Sequence, residues 1–167
     1  MQPRGVERVV REEVLASFFN GRTTPAELAR DLKGSEQQVS DIESIVEIED
    51  MQEEFVVTRD MAVGLCDAVL SEQLEPSALA TIGFALIASD RFSWDGEDDI
   101  LGEIIADWSC PEINFTLNMD NIRQFRAWLM AQEPYPVRPS AAAGSPKDGR
   151  DFSARLVCVR RKKNPQR

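Results

Sequence analysis

The chain of 167 residues contains no histidine, three cysteines and nine glycines. The absence of histidine excludes Ser-His-Asp and Cys-His catalytic sites, histidine-ligated metal sites and proton transfer by imidazole. The glycines occur singly and form neither a GxxxxGK[ST] nor a GxGxxG motif, so no loop is expected to enclose a nucleotide phosphate. We therefore predict that the protein is not an enzyme and has no catalytic residues, no metal ligands and no cofactor.

Long apolar runs are missing as well. The longest uncharged apolar segment, Leu79 to Ala88, has ten residues, whereas about 20 are needed to cross a bilayer; it predicts a buried core helix. The first residues carry charge and lack the apolar stretch of a secretory signal. Cys66, Cys110 and Cys158 form no CxxC pair, which favours a reducing compartment. We expect a cytoplasmic protein without a membrane partner.

Charged residues are sorted by position along the chain. Residues 1 to 133 hold 27 acidic and 10 basic residues, a net charge of −17, whereas residues 134 to 167 hold 2 acidic and 9 basic residues, a net charge of +7. A negatively charged body repels nucleic acid and attracts basic proteins. We expect a basic protein as the partner, with nucleic acid limited to nonspecific contact with the basic tail.

Apolar residues recur at helical spacing throughout the first 133 residues, which predicts an all-α fold: a single domain of about six helices with a flexible basic C-terminal tail. Trp108 and Trp128 fall on apolar stripes and are predicted core residues. Residues 46 to 57 are expected to be irregular or to continue the preceding helix. The expected helices run from Val6 to Phe18, over about 25 to 33 and 36 to 48, from Thr58, from Pro76 through Ala88, from the acids at 95 to 99 through Trp108, and from Asn118 through Leu129.

Composition changes near Glu133. Three prolines between 134 and 139 are followed by Ala-Ala-Ala-Gly-Ser-Pro, a composition that cannot bury enough surface to offset chain entropy. We predict an acidic helical domain at 1–133 and a linker with a basic tail at 134–167. The run from Phe152 to Val159 resembles a strand, but an all-α fold offers no sheet for it to join, so it is predicted to be unstructured.

Two capping boxes stand close together, at Thr24 to Glu27 and at Ser35 to Gln38. The second predicts the helix over 36 to 48, with an anionic outer face. The surrounding residues resemble the T..ELA..L..S...[IV]S.IE pattern of phage-repressor-like helix-turn-helix proteins; they are Thr24, Glu27, Leu28, Ala29, Leu32, Ser35, Val39, Ser40, Ile42 and Glu43.

This resemblance implies a DNA-binding transcriptional regulator. In it Gln37, Gln38 and Ser40 would approach base edges, and the basic tail would contact phosphates. The segment from Ser35 to Ser44 contains three acids and no base, which opposes contact with the phosphate backbone. The regulator is therefore our alternative hypothesis.

A second pattern covers the start of the chain. The segment Phe18-Phe19-Asn20-Gly21-Arg22-Thr23, followed by a short helix from Pro25 to Lys33, is similar to the opening of small, acidic, all-helical bacterial immunity proteins of the colicin D immunity type. The resemblance implies a cytoplasmic inhibitor that covers the basic active-site surface of a toxin. It agrees with the charge of the body, and it is our leading hypothesis.

Two acid-rich segments would provide charge complementarity to such a partner, with Trp94 as an aromatic anchor. The acids at 95 to 99 do not fit a calcium loop, because the EF-hand spacing would place Arg91 and Gly102 at ligand positions. A helix start explains them. The predicted partner-binding residues are Trp94, Asp95, Glu97, Asp98, Asp99, Glu103, Glu43, Glu47, Glu49, Asp50, Glu53 and Glu54.

Overall fold

The computed structural model of the chain describes residues 9–33, 35–40, 43–136 and 155–161. The fold is mostly α, as expected, but it is not all-α, because the described residues also form two small sheets. In chain order the elements are β1 (Val10–Arg11), α1 (Glu12–Phe19), α2 (Pro25–Leu32), β2 (Glu36–Ser40), β3 (Glu43–Glu49), β4 (Phe55–Val56), α3 (Arg59–Leu70), α4 (Ala78–Ala88), β5 (Phe92–Ser93), α5 (Asp99–Ser109), α6 (Met119–Leu129) and β6 (Arg155–Arg161).

Strand β3 organises the larger sheet. β2 pairs antiparallel with its first part, β1 pairs parallel with its last two residues, and β6 pairs parallel with its whole length. Residues 48 and 49 pair with both β1 and β6, and a strand has only two edges. β1 and β6 therefore lie on opposite edges of β3, and β2 shares the edge that β1 occupies.

The predicted helix over 36 to 48 is wrong, because β2 and β3 occupy this segment. Ser35, which was expected to cap it, is buried and bonds backwards: its hydroxyl donates to the carbonyl of Leu32, the last residue of α2, at 2.7 Å. The helix-turn-helix resemblance thus has its first helix, α2, but no second helix among the described residues. We do not carry the regulator hypothesis further.

The pattern that determines β3 is a period of two. Val46 and Ile48 are fully buried, whereas Glu47 and Glu49 between and after them are partly exposed. Alternation of this kind places successive side chains on opposite faces of a sheet. This alternation, and not the helical spacing of Val39, Ile42 and Val46, agrees with the structure of the segment. Ile42 lies outside the described residues.

The second sheet joins two distant segments. β4 and β5 pair in parallel, with Phe55 beside Phe92. Phe19, at the end of α1, packs on both strands, with its ring centroid 5.9 Å from that of Phe55 and 6.2 Å from that of Phe92. The segment from 46 to 57, expected to be irregular or helical, is therefore the end of β3, a turn and β4.

Side-chain caps confirm four predicted helix starts. At α2 the Thr24 hydroxyl accepts the Glu27 N–H at 3.2 Å, and the Glu27 carboxylate accepts the Thr24 N–H at 2.8 Å, which completes the predicted capping box. Thr58, Asp98 and Asn118 accept from the third amide of α3, α5 and α6 in the same way. Each such cap typically stabilises a protein by about 1 kcal/mol.

Helix α1 is shorter than predicted. It begins at Glu12, and Val10, which was expected inside the helix, is a fully buried residue of β1; Val6 lies outside the described residues. Glu12 is itself buried, and its Oε2 accepts the backbone N–H of Met51 at 2.9 Å. This contact ties the start of α1 to the chain just after β3.

Helix α4 is the buried core helix predicted at Leu79 to Ala88. Its inward side chains are at most 1 % exposed, and it packs closely against α5. A Cβ added at Gly83 would lie 2.9 Å from the Trp108 Cβ and 2.9 Å from the Ile105 carbonyl oxygen, so this close approach requires glycine. Within the described part of the chain, every helix is too short or too polar to cross a membrane.

An aromatic cluster fills the space between the end of α5 and α6. The Phe125 ring lies 6.2 Å from that of Trp108 and 5.8 Å from that of Trp128. Trp108 is 0 % and Trp128 7 % exposed, which confirms both as core residues. Tyr135 adds to the cluster, with its ring centroid 5.0 Å from that of Trp128. The packed body thus extends two residues beyond the predicted boundary at Glu133.

The predicted tail contains one described element. Residues 155–161 form β6 along β3, where the sequence predicted an unstructured segment. The prediction assumed that the fold offers no sheet for this segment to join, whereas β1, β2 and β3 form such a sheet. The rest of the predicted linker and tail, 137–154 and 162–167, lies outside the described residues.

Candidate acidic interface

Helices α3 and α5 begin side by side, because Arg59, the first residue of α3, pairs with Asp98, the cap of α5. The Arg59 Nε lies 2.6 Å from Asp98 Oδ2, and its Nη2 lies 2.7 Å from Oδ1. The two side chains are 33 % and 17 % exposed, which shields this bidentate pair in part from water. Asp98 Oδ1 also accepts the Leu101 N–H at 3.2 Å. One carboxylate therefore fixes both helix starts.

These contacts change the acidity of both groups. Hydrogen bonds from Arg59 hold the pKa of Asp98 below its ordinary value, against the opposing effect of partial burial. The same pair raises the pKa of Arg59. Asp98 was predicted to contact a partner, but its carboxylate is engaged within the protein. We reassign it to the positioning of the surface around it.

Five exposed acidic side chains lie on the loop before α5, on the first turn of α3 and on the first two turns of α5. We call them the α3–α5 acidic patch; they are Asp60, Asp95, Glu97, Asp99 and Glu103. Asp60 and Asp99 lie in first helical turns, where the helix dipole favours negative charge. Asp95 Oδ1 accepts the Glu97 N–H at 3.0 Å and shapes the turn.

Local structure accounts less well for the carboxylates of Glu97 and Glu103. Neither takes part in an ion pair within the described part of the chain. Glu103 lies one turn beyond the helix start, next to Asp99 on the same face, and like charges at this spacing oppose helix formation. The patch therefore holds more negative charge than helix capping requires.

Trp94 lies at the edge of the patch, in the loop between β5 and α5. It is half-buried and packs against the core. A Cβ added at Gly102 would lie 3.1 Å from the Trp94 Nε1, so the indole crosses α5 at this glycine. Packing fixes the ring in place and leaves part of it open beside Asp95, as expected of an aromatic anchor flanked by charge.

The other predicted acids lie in and after β3, and the structure does not bring them to the α3–α5 acidic patch. The Phe55 N–H donates to the Arg91 carbonyl at 2.8 Å, so Glu54 lies beside Arg91, just before β5, whereas Asp95 follows the other end of β5. The two predicted acid-rich segments are therefore described as two separate surfaces. In the second, Glu43 begins β3, Glu47, Glu49 and Asp50 are half-buried, and Glu53 and Glu54 are exposed in the turn before β4.

Bases are scarce in the part of the chain that carries the patch. Between Lys33 and Arg123 the chain has two bases, Arg59 and Arg91. Both are partly buried, and Arg59 is neutralised by Asp98. The exposed bases of the described body lie before and after this stretch of the sequence. The stretch that carries the patch therefore holds many more carboxylates than bases.

The carboxyl and thiol groups of the body occupy contrasting environments. Glu103 and Asp107, one helical turn apart, do not share a site: Glu103 is exposed, whereas Asp107 is buried and accepts a hydrogen bond from the Tyr135 hydroxyl at 2.9 Å.

Burial raises the pKa of the Cys66 thiol to about 12, so the thiol is protonated at neutral pH. Among the residues the structure describes, no group of three or more cysteine, aspartate or glutamate side chains is arranged to hold a metal ion. The chemistry that the patch offers is the attraction of cations.

Sequence reasoning missed the contribution of α3. Asp60 joins the patch only because Arg59 reaches Asp98, 39 residues further along the chain. The local signal was a capped helix start at Thr58, which correctly located the helix but carried no information about its neighbour.

Comparisons of the chain with protein-family models, curated proteins and solved structures find no match.

Proposed function

We propose that the protein is a non-catalytic acidic protein-binding module, an immunity- or antitoxin-type inhibitor that binds a basic, nucleic-acid-acting protein in the cytoplasm. The observation that carries the proposal is the α3–α5 acidic patch with Trp94 at its edge. A protein that acts on nucleic acid must present a basic surface to phosphates. A fixed group of carboxylates is complementary to that surface and competes with the nucleic acid for it.

The patch and the tryptophan contribute differently to binding. Exposed charges at the rim of an interface mainly accelerate association, and salt screens them over about 10 Å at 0.1 M ionic strength. A partly buried aromatic ring mainly slows dissociation, because it fills a pocket of the partner. We therefore expect association to weaken with salt and dissociation to quicken in Trp94→Ala.

The test measures binding of the full chain to a panel of purified basic nucleases, together with the rate of RNA or DNA cleavage by each. We expect the chain to bind one member and to slow its cleavage. The triple variant Glu97→Gln, Asp99→Asn, Glu103→Gln should reduce the association rate at least tenfold, because it removes three of the five patch charges and leaves Arg59 and Asp98 paired.

A matched control removes the same charge elsewhere. Glu72, Glu75 and Glu112 are exposed and lie beyond the opposite ends of α3 and α5, so replacing them with glutamine should change the association rate less than twofold. Equal losses in the two triple variants would show general charge attraction and contradict a specific interface. If the protein bound none of the nucleases in the panel, the proposal as a whole would be contradicted. Turnover of a substrate by the protein would contradict it as well.

A further inference from the structure

Strand β6 places the basic part of the chain against its most acidic strand. β3 contains three acids and no base, and β6 contains three bases and no acid. Their parallel register sets Arg155 beside Glu43 at one end and Arg161 beside Glu49 at the other. Opposite charges at paired positions of neighbouring strands favour pairing. Charge therefore matches at both ends of the seven-residue ladder.

We propose that the edge of β3 that β6 occupies is a binding site for a basic extended strand. Residues 155–161 are its resident occupant, which a basic strand of the partner displaces. The inference rests on the proposed function in taking the partner to be cationic, and it adds a binding mode: the partner strand joins the sheet through main-chain hydrogen bonds.

The site keeps its form when β6 leaves. β1 and β2 hold the opposite edge of β3, and Val46 and Ile48 anchor the strand in the core with 0 % exposure. Departure of β6 would leave a row of unpaired backbone N–H and C=O groups along a strand that is otherwise supported. Such an edge is a ready template for an added strand.

The connection of β6 to the body makes it exchangeable. Residues 137–154 separate β6 from the last described residue of the helical body. A covalent connection raises the concentration of a segment at its own binding site, to the order of millimolar for short flexible connections. A partner strand with micromolar affinity for β3 therefore displaces β6 only when the partner is present at high concentration or makes additional contacts with the protein. The α3–α5 acidic patch provides such additional contacts.

The test uses the full chain and a fluorescent synthetic peptide that spans 152–163 and carries Cys158→Ser. Val157→Pro in the chain fixes the backbone and removes a donor in the middle of β6, which disfavours its pairing with β3. The control Ala142→Pro adds a proline between two natural prolines, outside β6. We expect Val157→Pro to bind the peptide at least tenfold more tightly than the wild type or the control. Equal affinity in a folded Val157→Pro variant would overturn the proposal.

A charge exchange keeps the test decisive if the proline variant does not fold. The chain with Glu43→Arg, Glu49→Arg, Arg155→Glu and Arg161→Glu preserves opposite charges at both paired positions. It should prefer, at least fivefold, a peptide that carries Arg155→Glu and Arg161→Glu over the original peptide. Continued preference for the original peptide would overturn the proposal. The peptide experiments do not involve a nuclease. The strand-exchange proposal can therefore fail while the proposed inhibition of a basic nuclease holds, and the proposed inhibition can fail while strand exchange holds.

Discussion

At its N-terminal end α5 is surrounded by charge, and at its C-terminal end it is surrounded by aromatic rings. Each end contains an aspartate that accepts hydrogen bonds from a distant residue. Asp98 is partly exposed and meets the cation Arg59, whereas Asp107 is fully buried and meets the neutral hydroxyl of Tyr135. The same side chain therefore serves two purposes in one helix.

The two ends of α5 should differ in how substitutions change stability and binding. Charges at the exposed end are solvated and screened, so single changes there should affect stability little and binding strongly. Side chains at the aromatic end are closely packed, so changes there should affect stability strongly. Substitutions at the two ends of α5 test this division.

Replacement of Trp108 by alanine should produce the largest loss. Its side chain is fully buried between α4 and α6, and removal of a buried tryptophan lowers the free energy of unfolding by about 3–5 kcal/mol. Urea denaturation followed by circular dichroism measures this loss. Trp108→Phe is the control: the indole Nε1 has no hydrogen-bond partner in the described part of the chain, so the phenyl ring should restore most of the stability. Equal losses in both variants would contradict packing as the cause.

Gly83→Ala should lower the free energy of unfolding by about 1–3 kcal/mol, as expected for overpacking. The added methyl group would lie 2.9 Å from Trp108 Cβ and 3.0 Å from the Ser109 amide nitrogen, and backbone atoms of α5 cannot move aside cheaply. The matched control is Gly64→Ala in α3, where a Cβ meets nothing within 4 Å. Thermal melting compares the two, and a stabilising Gly83→Ala would refute the close approach.

Tyr135→Phe should lower the free energy of unfolding by about 1–3 kcal/mol, because it withdraws a hydrogen bond from a buried carboxylate. The ring and its contact with Trp128 remain, so the effect isolates the bond between the Tyr135 hydroxyl and Asp107. Chemical denaturation of the full chain measures it. A Tyr135→Phe variant as stable as the wild type would show that the bond adds nothing.

Asp98→Asn should lower the free energy of unfolding by about 1 kcal/mol at pH 7, a magnitude typical of a weakened helix cap. Because the pKa of Asp98 is depressed in the folded protein, its stabilising effect is complete above the ordinary value near 3.9 and is lost as pH falls through the depressed value. The difference between wild type and variant should therefore shrink below about pH 4. A difference that is constant from pH 7 to pH 2.5 would exclude the ionised carboxylate as its source.

The smallest effect on stability is expected from Glu97→Gln and Glu103→Gln. Each should change the free energy of unfolding by less than about 0.5 kcal/mol, since exposed charges contribute little. A larger loss in either variant would move that residue from the binding surface to the structural scaffold and would remove the division between the two ends.

Sequence predicted the helical part of this division well. The caps at Thr24, Thr58 and Asn118 and the helix start among the acids at 95 to 99 were predicted from the sequence, because capping depends on residues within four positions of each other. The core positions of Trp108 and Trp128 followed from helical spacing. These features share one property, which is that their physical cause is local.

The errors have a common cause as well. Ser35 and the apolar residues after it fit a helix locally, but β3 forms because strands from three other parts of the chain pair with it. The patch was predicted in part, from the acids before α5, whereas Asp60 and the internal role of Asp98 depend on Arg59, which no local pattern connects to them. Pairing between distant segments is information that single-sequence periodicity does not contain.

The position of β6 in chain order has a consequence for synthesis. Every described helix precedes β6 in the chain, so the helical body can assemble during translation while the far side of β3 is still vacant. The β6 edge is therefore the last part of the larger sheet that the described chain can complete, and folding of the helices does not have to wait for it.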